Sequence, residues 1–452
     1  MENNYYEYES LWRFFADSVE KYGDSALFCK ETDTVSYRDF KEDVLKLTHF
    51  FTGIKQKKIV ILTVDPVRFA EAFFATVFSG HIACLFSPEY SVPEFLLDGY
   101  LFTDNEVISV FPSLVEIAEE PVITDPDAPR IVVLSSGTTG KTDGIVLSER
   151  NVLKNLYSIL KFYYFSPGER LLHVLPYWHM FGLMGDLFMA ACCGAAICLP
   201  VSGAGVLKAM RDFKPEIINM PPAMADMLCE LIGKEGDVSA VTGGCLRRVM
   251  CAGAHLNEKT SDRLLGYGIK PLTAYGMTEC SPCISVMPEG KLVRGTSGVL
   301  LDCWEIRLSD GNEILLRGDC VMLGYIDEAA TKERIRDGWF HTGDIGSIDE
   351  EGYLTVSGRV NSLLVFSNGV KCFPERAEEK INLLPFILES RVAKVTDRIG
   401  DHPKLIIHTE NEAGINREEV DRIMKEFRVF PYETEYTDSA LPRNRLGKMI
   451  RE

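Results

Sequence analysis

Ile131-Val-Val-Leu134 runs without a break into Ser135-Ser-Gly-Thr-Thr-Gly-Lys141. The first four residues, three of them β-branched, read as a short buried strand. The next seven hold two glycines and four hydroxyl side chains, a loop composition. A loop of this kind at a strand end can close its backbone N–H groups around phosphate oxygens, with the hydroxyls as further donors. It lacks the glycine–lysine spacing of a P-loop. An ordinary polar turn has the same composition, so the stretch alone leaves both readings open.

Working outward, strands and helices alternate. Leu11 to Tyr22 places Leu11, Phe14, Phe15 and Val19 at helical spacing. Lys58 to Val64 reads as a strand, Phe69 to Phe78 as a helix, and Ile82 to Phe86 as a second strand after Gly80. Such strand–helix–strand alternation predicts parallel strands. Asp125-Pro-Asp-Ala-Pro129 marks a loop. Downstream strands are expected at Leu171 to Leu175, Ala195 to Leu199, Glu216 to Met220 before Pro221-Pro222, and Arg248 to Cys251 before Gly253 and Ala254. From 296 to 360 the strands shorten and glycine turns multiply (Gly311, Gly318, Gly324, Gly343, Gly352, Gly358), which predicts a mainly β subdomain. The last 90 or so residues return to mixed α and β. The expected class is α/β: a large N-terminal domain of mixed sheets with a β subdomain, then a small α+β C-terminal domain.

Bulk properties narrow the function. A formal charge of −18 opposes sequence-independent nucleic-acid binding and general attachment to anionic membranes. Leu187 to Leu199 is the longest apolar run and is too short to span a bilayer, so stable membrane insertion is not expected. Met1-Glu-Asn-Asn-Tyr-Tyr6 shows neither the basic start nor the apolar stretch of a secretory leader. The 13 cysteines show no repeated C-x-x-C spacing and read as reduced thiols of a cytoplasmic protein.

Four further motifs carry chemistry. Ala274-Tyr-Gly-Met-Thr-Glu-Cys280 puts an aromatic ring, a glycine, a hydroxyl and a carboxylate within five positions. They suit base stacking, close approach, phosphate contact and a hard cation; a strand end followed by a helix cap has the same composition. Gly338-Trp-Phe-His-Thr-Gly-Asp344 sets an aspartate after a turn glycine, either an acceptor for ribose hydroxyls or an Asx-turn. Ser357-Gly-Arg359 precedes Ser367-Asn-Gly369 and Phe373-Pro-Glu375. Leu441-Pro-Arg-Asn-Arg-Leu-Gly-Lys448 lies four residues from the end.

In this order and spacing, the motifs resemble the adenylate-forming superfamily of acyl-CoA synthetases, luciferases and peptide-synthetase adenylation domains, from about residue 10 onward. The resemblance implies an acid–thiol ligase using ATP and Mg²⁺, with an adenylation domain at 1–360 and a mobile C-terminal domain at 361–452. It implies that Ser135, Ser136, Gly137, Thr138, Thr139 and Gly140 hold the terminal phosphates, with Gly253, Ala254 and Gly276 also at the nucleotide. Tyr275 would stack on adenine, Thr278 would contact the α-phosphate, and Glu279 would ligate the metal. Asp344 would hold the ribose, with Arg359 nearby. Lys448 would meet the negative charge that builds at phosphorus. Asn361 would be the hinge for a domain swing that withdraws Lys448 and brings in Ser367, Asn368 and Gly369 for attack by the thiol.

Departures from the pattern are Thr142-Asp143-Gly144 in place of Pro-Lys-Gly, asparagine at the hinge, Pro374-Glu-Arg-Ala-Glu378, and a short C-terminal domain. Asp143 adds like-charge repulsion near the phosphates. Pro176-Tyr-Trp-His-Met-Phe-Gly182 resembles the acyl- and aryl-acid branches, with His179 beside the acid, and no aspartate stands where amino-acid-activating relatives carry one. Met180, Phe181, Met184, Met220, Met224 and Met277 suggest an adaptable apolar tunnel, suited to a medium- or long-chain fatty acid in preference to an aryl acid. Coenzyme A is the expected acceptor. A phosphopantetheine arm on a carrier protein is the alternative, and a relative that binds nucleotide or lipid without turnover is a third reading.

Overall fold

The computed structural model describes residues 8–89, 91–105, 117–118, 121–122, 125–134, 143–200, 205–360, 364–365, 371–372, 374–397, 400–427 and 429–442. The chain forms two compact units, Met1–Glu305 with Leu316–Phe340, and Ile306–Leu315 with His341–Glu452.

The first unit is built on two sheets. The larger has nine strands in the order Val299–Leu300, Cys283–Val286, Lys270–Gly276, Arg248–Cys251, Ile217–Met220, Arg170–Leu172, Ala196–Cys198, Ala26–Cys29 and Thr34–Ser36. Its central strands are parallel. The smaller runs Gly324–Tyr325, Gly144–Ser148, Pro129–Leu134, Ile82–Leu85, Lys58–Ile61 and Tyr100–Phe102. Here Lys58–Ile61, Ile82–Leu85 and Pro129–Leu134 are mutually parallel, as the alternation around them requires.

The helix Pro66–Phe78 shows how local sequence sets this frame. Asp65 caps it, its carboxylate accepting from the Val67 and Arg68 amides at 2.8 and 3.1 Å, and Pro66 sits where no amide hydrogen is needed. The strand before it therefore ends at Ile61, short of the expected Val64, because the chain turns at Thr63 to make the cap. The helix is then buried along nearly its whole length. Phe74 packs on Phe15 at 4.9 Å between ring centroids, and Phe73 on Phe188 at 5.6 Å. Each such ring contributes about 1.5–3 kcal/mol by burial.

The Leu11–Tyr22 helix matches the expected span, with the Ser10 side chain capping the Arg13 amide. The strand expected over Leu171 to Leu175 ends at Leu172, where the chain turns toward Pro176. Between 299 and 359 the elements are strands with one helix, Glu328–Arg334, in line with the expected β character, although Trp339–Ile348 runs to ten residues where shorter strands were expected. No helix among the described residues is long and apolar enough to cross a membrane.

In the second unit, residues 344–348 pair antiparallel with Leu354–Arg359. A three-stranded sheet of Glu389–Asp397, Gly400–His408 and Glu433–Thr437 packs with helices Pro374–Asn382 and Arg417–Glu426 around Ile381, Val392, Leu405, Ile407, Ile423 and Met424.

Candidate active site

Parallel strands end on one side of a sheet, and in open α/β sheets the crevice beyond their carboxyl ends is where ligands sit. Five strands of the large sheet end there, at Leu172, Cys198, Met220, Cys251 and Gly276. The segments that leave them are those singled out by sequence: 176–182, 221–224, Gly253-Ala254 and 275–279.

Tyr275 is half-buried at the end of its strand, where the register with Cys283–Val286 shifts between Tyr275 and Gly276. Gly276 is obligatory: a Cβ there would lie 1.9 Å from the Pro282 carbonyl oxygen. The close approach is used, since the Met277 amide donates to that carbonyl at 2.8 Å. Thr278 opens the single turn Thr278–Cys280. Glu279 follows, its Oε1 accepting from the Tyr325 hydroxyl at 2.8 Å. Burial and the neighbouring carboxylates of Glu279 and Asp143 raise the Tyr325 phenol, which stays a donor. One Glu279 oxygen is thus fixed, and among the described residues the other has no recorded partner. Among the described residues no group of three His, Cys, Asp or Glu side chains could hold a metal. A lone carboxylate that shares its cation with bound phosphates and water fits Mg²⁺. Gly253 has φ +84, with no atom of the described residues within 4 Å of where a Cβ would stand.

His179 stands at the N-cap position of the short helix Met180–Gly182, with no capping hydrogen bond from its side chain. It is exposed yet hemmed in by protein, and this partial desolvation lowers its pKa, favouring the neutral imidazole. His179 is not in the wall of the cavity of about 300 Å³ that its neighbour Trp178 lines with Thr63, Phe69, His173, Tyr177 and Met224 among others. The cavity lies where loops leaving both sheets meet. Of the six residues expected around an acid, Met224 lines this cavity. Met180, Met184 and Met220 are packed into the core, while Phe181 and Met277 are half-buried.

Behind the cavity wall runs a polar chain. His173 Nδ1 pairs with Asp186 Oδ2 at 2.9 Å, and Asn219 Nδ2 donates to Asp186 Oδ1 and to the Gly185 carbonyl, each at 2.8 Å. The His173 ring packs on Tyr177 at 4.4 Å. Burial raises the Asp186 carboxyl above its ordinary value, against the pull of His173 and Asn219. Asp186 sits on a wide, π-type turn over Leu183–Phe188, a distortion often found at functional sites.

In the second unit, Asp344 and Arg359 face each other across the hairpin, with Arg359 Nε donating to Asp344 Oδ1 at 2.9 Å. The Asp344 carboxylate is buried, and its amide donates to Thr342 Oγ1 at 3.0 Å. Ser135, Ser136, Gly137, Thr138, Thr139, Gly140, Asn361, Ser367, Asn368, Gly369 and Lys448 lie outside the described residues.

The family model of the AMP-binding enzymes matches residues 98–326, just over half of the 452-residue chain. The chain belongs to the AMP-binding family of adenylate-forming enzymes. Among its AMP-binding relatives is the mitochondrial medium-chain acyl-CoA ligase ACSF2 of Danio rerio, 30% identical over 66% of this chain and 52% of that protein. A probable 4-coumarate–CoA ligase of Dictyostelium discoideum is 28% identical over 71% and 62%. The chain thus spans between half and two thirds of the length of these curated relatives. The solved structure of ATP-bound MatB from Rhodopseudomonas palustris superposes with a TM-score of 0.83, covering 96% of each chain at 22% identity, and so shares the fold. The α/β class and the family expected from the motifs are both borne out.

Sequence reasoning missed Tyr325, His173, Asp186 and Asn219. Tyr325 lies 46 residues from the carboxylate it holds, and Asn219 lies 33 from Asp186. No spacing rule links residues so far apart.

Proposed function

We propose that this AMP-binding enzyme joins a carboxylic acid to AMP at the expense of ATP, then passes the acyl group to the thiol of coenzyme A. The observation that carries this reading is Glu279, which follows a strand of the large sheet and is held through Oε1 by Tyr325, in a unit where loops leaving the same sheet also wall a largely apolar cavity. A metal held there would neutralise phosphate charge. Tyr275 would flank the adenine, and Thr278 would donate to the α-phosphate. Asp344, braced by Arg359, would meet the ribose. The loop 135–140 would hold the leaving pyrophosphate, and Lys448 would offset charge at the reacting phosphorus. The acid oxygen attacks the α-phosphorus as pyrophosphate leaves. In the second step the thiol sulfur attacks the acyl carbon, and AMP departs with the bridging oxygen. Positioning and electrostatics carry both steps.

A cavity of about 300 Å³ is at the small end for ligand sites. It favours a medium-chain acid over a long one. A planar aryl acid is the second reading, supported by the Phe69 and Trp178 rings, 6.2 Å apart at the wall. The test is ATP–pyrophosphate exchange over a panel of alkyl and aryl acids, followed by addition of coenzyme A or a pantetheinylated carrier protein. Exchange that requires an acid, and thioester formed with coenzyme A, are expected. Absence of exchange with every acid would overturn the reading.

A further inference from the structure

The chain His173–Asp186–Asn219 is costly to keep. Asp186 and Asn219 are 0% exposed and His173 7%, in a wall that is otherwise mostly apolar. Burying polar groups is tolerated when each finds a partner. Asp186 has two partners, and Asn219 has the Gly185 carbonyl besides. The cavity wall also holds the Tyr177 hydroxyl, buried without a hydrogen-bond partner among the described residues, and His173. Nδ1 of His173 is committed to Asp186, its amide donates to the Cys198 carbonyl, and its ring is held against Tyr177. Nε2 has no partner among the described residues, and His173 lines the cavity. Fixing one ring nitrogen determines what the other offers. An imidazole oriented from behind by a carboxylate, with its second nitrogen unspent at a ligand-sized space, is a preorganised recognition group.

We propose that the acid taken by this cavity carries a hydroxyl on its carbon skeleton, and that His173 Nε2 binds that hydroxyl. The inference rests on the cavity being the acid site. With Asp186 accepting from Nδ1, Nε2 accepts a hydrogen bond from the hydroxyl. A hydroxyl can also accept, so it suits the protonated ring as well. A plain alkyl chain strips water from Nε2 and returns nothing. Sites built to bond a substrate hydroxyl reject the analogue that lacks it far more strongly than an apolar pocket rejects an extra methylene. Asp186 and Asn219 act through His173 as positioning residues.

The test compares matched acids, octanoate against 8-hydroxyoctanoate and its positional hydroxyl isomers, and 3-phenylpropanoate against its 4-hydroxyphenyl analogue. The readout is kcat/KM in ATP–pyrophosphate exchange. Wild type should prefer the hydroxylated member of at least one pair by tenfold or more. His173→Leu strands the Asp186 carboxylate, so the double variant His173→Phe with Asp186→Leu is made alongside, and the melting temperature of each is recorded. In a folded variant the preference should collapse to within about twofold, with the unhydroxylated acid used better than by wild type. His173→Gln, which keeps a polar head, should retain part of the preference, and Asp186→Asn should weaken it. Equal use of both members of every pair by wild type, or a preference that survives in the folded double variant, would overturn the inference while leaving acid activation standing. If no acid supports exchange, the adenylation reading fails, and thermal-shift titration of the same acids decides the rest. Stabilisation by a hydroxylated acid that the double variant abolishes keeps His173 as its binding group, and no stabilisation by any acid removes it.

Discussion

The Tyr325 hydroxyl and Glu279 Oε1 are 2.8 Å apart, and the carboxylate has no rigid turn of its own to aim it beyond the three residues Thr278–Cys280. A hydrogen bond to a charged group contributes roughly 1.5–3 kcal/mol, much of it here as orientation. Tyr325→Phe should therefore raise the KM for Mg²⁺-bound ATP about tenfold, with a smaller change in the KM for the acid. Steady-state exchange kinetics at varied metal concentration check this. An unchanged nucleotide KM would mean that Glu279 is aimed by something else. The contrast between the two residues also shows what a sequence discloses at this scale. Glu279 stands inside a compact run, Tyr275 to Glu279, whose residue types announce their chemistry. Tyr325 reaches it only because Gly324–Tyr325 adds to the edge of the smaller sheet beside Gly144–Ser148, a pairing between strands some 180 residues apart.

At the level of elements, the buried helix Pro66–Phe78 contains a charge that its packing does not favour. Glu71 is 1% exposed. Its Oε2 accepts from Arg68 at 2.7 Å, and its Oε1 has no partner among the described residues. Burial, opposed by Arg68, pushes its pKa up to about 8, against about 4.3 for a free glutamate. Between those values the folded chain keeps a proton that the unfolded chain has released, so stability falls as pH rises from about 4 to about 8 and is level above that. Glu71→Gln should remove this slope and, above pH 8, raise stability by roughly 1–3 kcal/mol. Denaturant melts from pH 5 to 9 measure it, and a slope unchanged in the variant would contradict the assignment. The helices and strands themselves were the most legible part of the molecule. Leu11–Tyr22 follows from its apolar period, and Arg248–Cys251 from a short β run closed by a glycine. The Leu183–Phe188 turn was not legible, because a widened turn leaves the same apolar pattern as a regular one while moving Asp186 inward. The cavity was hidden for a related reason. Its wall is drawn from loops after strands of two separate sheets, and local patterns carry no record of which loops meet.

At the scale of the whole molecule, the first unit holds Tyr275, Glu279 and the cavity, and the second holds the Asp344–Arg359 pair. On the proposed reading the acid is activated through AMP, and the cavity is where that acid is selected. The most direct measurement follows the carboxylate oxygen. The acid that gives the fastest exchange is supplied with both carboxylate oxygens as ¹⁸O, together with ATP, Mg²⁺ and coenzyme A, and the nucleotide and phosphate products are weighed by mass spectrometry. Attack by the carboxylate on the α-phosphorus, followed by thiol attack at the acyl carbon, predicts one ¹⁸O in each AMP formed and none in pyrophosphate. Label in phosphate or ADP, or AMP released without label, would contradict activation through an acyl-adenylate.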